Sequence, residues 1–170
     1  MGGIEPTKHV VFIATGTGEA PHNAMIAELL AHGHRGHIFS VVSAREWRDL
    51  AYLDVHRELE RRYANYKYFA LTTREPENLD PKHPKFIGKQ HVQDFFGSGR
   101  FQESAGVDVD PANTHVFLCG NPLMIGLPTK GREGELMYPE PAGMVEVLEH
   151  QRYTLDEPRH PGNVHFEKYW

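Results

Sequence analysis

The sequence predicts an α/β fold with a Rossmann-like parallel sheet of about five strands and helices on both faces. Apolar runs of four or five residues recur along the chain, at positions 10–13, 38–42, 68–71 and 116–119. Helical patterns separate the first three runs, as in strand–helix–strand units of a parallel sheet. Short apolar runs bounded by turn residues are typical of strands that are buried on both faces.

A glycine-rich loop, Thr15-Gly16-Thr17-Gly18, follows the first run, and Pro21 comes three residues later. Pro21 suits the first position of a helix, and Gly33 can end that helix. Glycines allow a ligand to approach the backbone closely. The free N–H groups and the dipole at the N-terminus of a helix stabilise a bound anion. The loop therefore predicts the seat of a cofactor pyrophosphate, although a plain tight turn fits the Gly-x-Gly-x-x-Pro pattern as well.

The remaining elements follow from periodicity and breaker residues. A second helical pattern lies between Arg45 and Tyr63, and the charged residues within 57–62 are expected to face solvent. Its predicted buried face comprises Ala51, Tyr52, Val55, Leu59 and Tyr63. Prolines predict a loop over 76–84. A short helix is predicted over 92–96, and the Gly-Ser-Gly sequence at 97–99 ends it. A connection is predicted over 108–113, followed by a short helix over 121–125. An inserted loop or hairpin is predicted over 129–141, and a last helix over 144–148.

Composition limits the class of protein. The 170 residues predict a single domain spanning 1–170, and a net charge of −5 disfavours a nucleic-acid partner. Cys119 is the only cysteine, which excludes an intrachain disulfide framework and fits a reducing compartment. We find no signal core and no apolar run of membrane-spanning length, so we expect a cytoplasmic protein with no membrane partner. The histidines at 32, 34 and 37 are typical of a surface loop, and we expect no metal site.

Basic residues follow two of the predicted strands. Arg45 comes just after the second run and Arg74 just after the third. Ligands of doubly wound sheets bind at the carboxyl ends of the strands, where two arginines suit a 2′-phosphate better than a free ribose. Either arginine alone would be typical of an exposed loop, and Glu46 lies directly beside Arg45.

Four motifs together resemble a known family. Residues 15–18 with Ala20-Pro21, then 73–75, 119–122 and 167–170 are similar to the NADP-binding C-terminal domain of ferredoxin–NADP reductases. The final Trp170 resembles the bacterial type, and the likeness covers nearly the whole chain. The family carries an N-terminal FAD-binding barrel, which we do not expect in this sequence. The resemblance then implies a fragment, a truncated gene product or a flavin-binding half that belongs to another chain.

The resemblance implies roles for individual residues in binding NADP(H). Gly16, Thr17 and Gly18 would cradle the pyrophosphate and the nicotinamide side. The 2′-phosphate would be held by Arg45, Thr73 and Arg74, and the adjoining phosphate and adenosine by Lys89 and Gln93. His91 falls where plant-type members carry a tyrosine that stacks on adenine. The wider cofactor-binding set adds Thr15, Pro21, Gly120, Asn121, Met124 and Trp170, although packing alone would also account for Met124.

A second set of residues is implied in the chemistry. Cys119 and Glu167 match residues beside the nicotinamide ring, and Tyr169 matches the aromatic side chain that covers the flavin. Trp170 would lie near the FAD adenine. From its sequence context alone, Cys119 fits a small buried hydrophobic residue rather than a nucleophile.

The implied function is that of an NADP(H)-binding domain in a flavin-dependent oxidoreductase. Hydride would pass between NADPH and FAD, and electrons to or from ferredoxin or flavodoxin, with the isolated chain inactive without an FAD domain. A non-catalytic nucleotide-binding module and an NADPH-dependent flavin reductase component are the alternatives. Glu19 and His22 depart from the apolar residues usual beside the glycine loop, and the 129–141 insertion is not general in the family.

Overall fold

Five parallel strands form the central sheet within residues 4–168, the part of the chain that the computed structural model describes. They are β1 (His9–Thr15), β2 (Ile38–Ala44), β3 (Tyr66–Thr72), β4 (Thr114–Gly120) and β7 (Val164–Lys168), in the spatial order β3-β2-β1-β4-β7. The predicted fold is confirmed. Each predicted run lies inside a strand that extends beyond it by one or two residues at one or both ends, and the C-terminal segment supplies the fifth strand.

Helices cover both faces of the sheet. The helices are α1 (Glu19–Ala31), α2 (Leu53–Arg62), α3 (Pro76–Leu79), α4 (Val92–Gly97), α5 (Arg100–Ala105), α6 (Pro122–Ile125) and α7 (Met144–His150). A small hairpin of β5 (Thr129–Lys130) and β6 (Leu136–Met137) confirms the expectation of an inserted loop or hairpin. Short 3-10 turns at Gly16–Gly18 and Trp47–Asp49 follow β1 and β2.

Alternating side chains of the strands divide the core into two clusters in the described part of the chain. Val11 and Ile13 face the cluster that α4, α5, α6 and α7 complete. Val10 and Phe12 face the cluster completed by α1 and α2. Because side chains of a strand alternate between its faces, this division places the two groups of helices on opposite sides of the sheet.

Two predictions about helices were wrong in detail. Helix α1 begins at Glu19, so Pro21 is its third residue rather than its first; the 3-10 turn runs directly into the helix, with the Glu19 N–H donating to Gly16 and Thr17 carbonyls. The predicted buried face of α2 was correct in part: Leu59 and Tyr63 pack half-buried against the core, whereas Ala51, Tyr52 and Val55 are exposed. The most buried residue of the helix is His56, at 1% exposed. A polar residue in the buried position shifted the apparent periodicity, and the helix starts only at Leu53.

Candidate functional site

The ends of β1 and β4 interlock at the point where the order of strands reverses. An ideal Cβ on Gly18 would lie 2.3 Å from the Cys119 carbonyl oxygen, and one on Gly120 would lie 2.3 Å from Thr15 Oγ1. The Asn121 N–H donates a hydrogen bond of 2.9 Å to Thr15 Oγ1. Glycine is therefore required at both positions, because the two backbones touch. In open α/β sheets this reversal point is the crevice where ligands bind.

The outer side of the glycine loop is open. Gly16 has a φ of +54°, and nothing lies within 4 Å of where its Cβ would be. Gly16 and Thr17 are exposed, and the thirteen-residue helix α1 starts directly after the loop. An exposed backbone with a helix N-terminus behind it is the local geometry that binds a phosphate. The residues present therefore fit the pyrophosphate of a dinucleotide, and Pro21 lies half-buried in the first turn of α1.

Two arginines lie side by side at the ends of β2 and β3. The Arg45 carbonyl accepts hydrogen bonds from the N–H groups of Arg74, at 2.8 Å, and Thr73, at 3.3 Å. The Thr73 hydroxyl also donates to the Ala44 carbonyl at 3.3 Å. Both arginine side chains are exposed, and within residues 4–168 neither has a carboxylate partner. Two unpaired guanidinium groups at one edge can bind a phosphate dianion.

The acidic neighbour of Arg45 does not neutralise it. The Glu46 carboxylate forms an ion pair of 2.7 Å with Arg48 instead, and its backbone N–H is bound by Asp49 at 3.1 Å. The carboxylate of Glu75, which follows Arg74, accepts the Trp47 N–H at 2.5 Å. Both acidic side chains are therefore occupied by local contacts, and the positive charge of Arg45 and Arg74 stays available to a ligand.

Gln90 holds the segment that carries Lys89 and His91 against the end of β3. Its N–H donates to the Thr72 carbonyl at 3.0 Å, and its side-chain amide donates to the Ile87 carbonyl at 2.8 Å. Arg100 in turn donates to Gln90 Oε1 at 2.7 Å. Lys89 and His91 flank this buried residue and are exposed, so the structure brings Lys89 to the same sheet edge as Arg74.

Two residues at this edge, Gln90 and Thr72, could not be recognised from the sequence. A lone glutamine in a proline-rich connection carries no periodic signal, and its burial arises only from the way the segment folds back onto β3. The Thr72 hydroxyl oxygen is buried without a hydrogen-bond partner, next to the predicted phosphate residue Thr73. Gln93, another predicted cofactor residue, is half-buried in the first turn of α4.

The residues predicted beside the nicotinamide meet at the ends of β4 and β7. Cys119 and Glu167 are directly paired in the parallel register of these strands. Cys119 is 1% exposed, whereas Glu167 is exposed. The structure thus brings together two of the three predicted catalytic residues. Tyr169 and Trp170 lie outside the described residues.

Helix α6 begins immediately after this pair. Asn121 is exposed and caps the helix, because its side-chain oxygen accepts the Leu123 N–H at 2.9 Å. Met124 is 4% exposed and packs in the core, which gives it a structural role, and its assignment to the cofactor stays a prediction. The exposed neighbour Leu123, at 62%, faces outward on the same short helix and was not singled out by the sequence.

The histidine nearest the loop is not an anion ligand. His22 in α1 is 4% exposed and contacts the ring of Phe12 at a centroid distance of 5.0 Å. Burial lowers the pKa of His22 to about 4, so its imidazole is neutral near pH 7. Positive charge at the site therefore comes from the arginines, the lysine and the helix dipole.

Histidines elsewhere have structural partners. His34 Nε2 lies 2.8 Å from the Lys8 carbonyl, and His32 Nδ1 lies 2.8 Å from that of Glu28. Across residues 4–168 we find no group of three or more histidine, cysteine, aspartate or glutamate side chains arranged to hold a metal ion. Within the same residues, each helix is too short or too polar to span a membrane.

Comparisons with known proteins agree with this geometry. The family model described as the oxidoreductase NAD-binding domain matches residues 12–129. Ferredoxin–NADP reductase B of Sorangium cellulosum is 30% identical over 129 residues, which cover 76% of this chain and 50% of the relative. The flavodoxin/ferredoxin–NADP reductase of Escherichia coli K12 is 28% identical over 116 residues, or 66% of this chain and 43% of the relative. The chain spans about half the length of the curated relatives it matches.

Solved structures share the fold. A ferredoxin NADP+ reductase from Neisseria gonorrhoeae with bound FAD and NADP superposes with a TM-score of 0.71 at 17% identity, covering 95% of this chain and 56% of that one. The Amycolatopsis cytochrome P450 reductase GcoB gives a TM-score of 0.61 at 21% identity, covering 97% of this chain and 38% of that one.

Proposed function

Because this chain belongs to the oxidoreductase NAD-binding domain family, we propose that it is the NADP(H)-binding half of a flavin-dependent oxidoreductase. In this function hydride passes between NADPH and FAD. One observation carries the proposal: the open glycine loop lies along the same carboxyl edge of the sheet as Arg45 and Arg74, which have no carboxylate partner among residues 4–168. A phosphate seat and a second anion site on one edge suit a dinucleotide that has an additional 2′-phosphate.

The residues of this chain would bind and orient the cofactor. Gly16 and Thr17 would bind the pyrophosphate through backbone N–H groups, while Arg45, Arg74 and Lys89 would bind the 2′-phosphate. Cys119 and Glu167 would border the nicotinamide, with Glu167 holding its amide group and the buried Cys119 shaping the surface against the ring. The two bound cofactors supply the hydride chemistry, whereas the protein supplies placement and the exclusion of water.

The flavin and the electron partner require a second unit. The Sorangium cellulosum and Escherichia coli relatives are about twice as long as the matched region and are named for ferredoxin, or for flavodoxin and ferredoxin. We therefore propose that residues 1–170 act as one NADP-binding domain beside an FAD-binding domain or chain, and that ferredoxin or flavodoxin exchanges electrons with the FAD. A sequence with a single cysteine, Cys119, cannot form an intrachain disulfide, which supports a cytoplasmic setting.

Complementation with a flavin domain tests the proposal. The chain is mixed with a separately produced FAD-binding domain of a ferredoxin–NADP reductase, and NADPH-dependent reduction of a dye is measured. We expect dye reduction only when both components are present. At a fixed, subsaturating NADPH concentration, the Arg74→Ala variant should reduce the dye more slowly than the unmodified chain. Arg62→Ala, at the end of α2 and outside the carboxyl edge, is the matched control and should leave activity unchanged.

The same assay separates the alternatives. Reduction of free flavin by NADPH with no FAD domain present would favour a flavin reductase component. Binding of NADP+ without activity in any mixture with an FAD domain would instead favour a non-catalytic nucleotide-binding module.

A further inference from the structure

Trp47 joins the loop after β2 to the start of α3 through both of its N–H groups. Its backbone N–H donates to Glu75 Oε1 at 2.5 Å, and its indole Nε1–H donates to Glu77 Oε1 at 3.1 Å. Glu75 caps the N-terminus of α3, and Glu77 lies in the first turn of that helix. Trp47 comes two residues after Arg45, and Glu75 follows Arg74 directly. The two hydrogen bonds therefore connect the segments that carry the two arginines.

Burial of the indole does not account for a tryptophan at this position. In the described part of the chain Trp47 is 41% exposed and belongs to neither core cluster. A hydrogen bond from an N–H group to an ionised carboxylate is stronger than one between neutral groups. This bond is the largest cause that lowers the pKa of Glu77, and His83 and Lys85 lower it further, so the carboxylate is ionised near pH 7. The indole N–H thus supplies a contact that another exposed aromatic side chain would not.

Helix α3 extends the connection to the segment that carries Lys89. The side-chain amide of Asn78, which is 3% exposed, donates to the Gly88 carbonyl at 2.9 Å. The Ile87 N–H donates to the Glu77 carbonyl at 2.8 Å. Lys89 follows these two contacts directly in the chain. A contact that fixes α3 therefore also fixes the segment that leads into the lysine.

We propose that Trp47 is a positioning residue that holds Arg45 at the spacing from Arg74 and Lys89 that a 2′-phosphate needs. This inference rests on the proposed function. The hydrogen bond from the Arg74 N–H to the Arg45 carbonyl joins the two loops only at the arginines themselves. The indole contact adds an attachment farther along both loops, which limits the movement of one relative to the other. Groups that are held in their binding arrangement before the ligand arrives bind it more tightly, because less freedom is lost.

Calorimetry with NADP+ and NAD+ tests the inference. Trp47→Phe keeps an aromatic ring and the backbone N–H but loses the indole donor, so it should bind NADP+ about fivefold more weakly and NAD+ as before. Glu77→Ala removes the acceptor of the same hydrogen bond and should have the same effect. The double variant Trp47→Phe/Glu77→Ala should bind NADP+ no more weakly than either single variant, because all three lack one shared contact.

Glu77→Gln separates the position of the side chain from its charge. Glutamine keeps a side-chain oxygen that accepts the indole N–H, so this variant should bind NADP+ within about twofold of the unmodified chain. If Glu77 acted on the bound phosphate through its negative charge, Glu77→Gln and Glu77→Ala would both bind NADP+ more tightly, and the inference would be overturned.

Tyr52→Phe is the matched control for Trp47→Phe. Tyr52 lies in the same connection and is 39% exposed, and its hydroxyl has no hydrogen-bond partner among residues 4–168. Its replacement removes a polar hydrogen from an aromatic side chain of similar exposure, and both affinities should stay unchanged. Thermal unfolding checks that every variant folds, and the Glu77 variants test the same hydrogen bond should Trp47→Phe prove unstable.

The outcomes separate this inference from the proposed function. An equal loss of NADP+ and NAD+ affinity in Trp47→Phe would indicate a merely structural role and overturn the inference. A preference for NADP+ that Trp47→Phe and Glu77→Ala both retain in full would overturn the inference and leave the 2′-phosphate site intact. Equal affinity of the unmodified chain for the two dinucleotides would overturn the 2′-phosphate site itself, and the inference with it.

Discussion

Replacing Gly18 by alanine tests the interlock between the glycine loop and β4. The added Cβ would lie 2.3 Å from the Cys119 oxygen, 2.6 Å from its carbonyl carbon and 2.9 Å from the Gly120 nitrogen. An ordinary contact needs about 3.4 Å, so the loop and strand must separate by about 1 Å (3.4 − 2.3). All three atoms belong to the backbone and cannot rotate away. Overpacking of this kind costs about 1–3 kcal/mol of unfolding free energy.

The backbone conformation itself does not oppose the change. Gly18 has φ −62° and ψ −14°, which suit alanine, so the expected loss comes from the steric contact alone. Urea unfolding measures the stability, and calorimetry should show NADP+ binding weakened by about tenfold or more, because the pyrophosphate seat is displaced. Gly97→Ala is the matched control: nothing lies within 4 Å of its Cβ position, and it should leave both quantities unchanged. A Gly18→Ala protein with unchanged stability and NADP+ affinity would refute the reasoning.

Three further predictions follow from single side chains. Arg74→Ala should weaken NADP+ binding by about tenfold in calorimetry while NAD+ binding stays unchanged, since only the 2′-phosphate loses a partner. Gln90→Ala should reduce the preference for NADP+ over NAD+ in the same titrations, because Lys89 loses its support; an unchanged preference would contradict that role. The pKa of His22 is about 4 in the folded chain and near 6.5 in the unfolded chain. The contribution of neutral His22 to the free energy of unfolding is therefore fully present above pH 6.5 and is lost as the pH falls towards 4. In urea unfolding, the unmodified chain should lose up to about 3 kcal/mol of unfolding free energy across that window, and His22→Phe should not. Parallel pH profiles of the two proteins would contradict this prediction.

The strands and the phosphate loop could be predicted because their signals are local. An apolar run such as that ending at Ile13 has to be buried, and a glycine that follows it predicts a turn. Since the carboxyl ends of parallel strands meet at one edge, the positions of Arg45 and Arg74 followed from the fold alone. Their direct backbone contact agrees with that expectation.

Features that depend on tertiary contacts could not be predicted. His56 is buried because Glu19 and the two tyrosines of β3 surround it, so hydrophobic periodicity placed Val55 rather than His56 on the buried face of α2. Helix α5 was not predicted because Gly99 and Gly106 limit it to six residues, too few to show a period. The role of Gln90 depends on Thr72, 18 positions earlier in the chain, and no local pattern records such a pairing.

Calorimetric titration of the unmodified chain with NADP+ and with NAD+ tests the central claim most directly. If Arg45, Arg74 and Lys89 converge on the 2′-phosphate, loss of that group should cost about 2–4 kcal/mol. NADP+ would then bind at least about 30-fold more tightly than NAD+. Equal affinity for the two dinucleotides would contradict the assignment of this sheet edge to a 2′-phosphorylated cofactor.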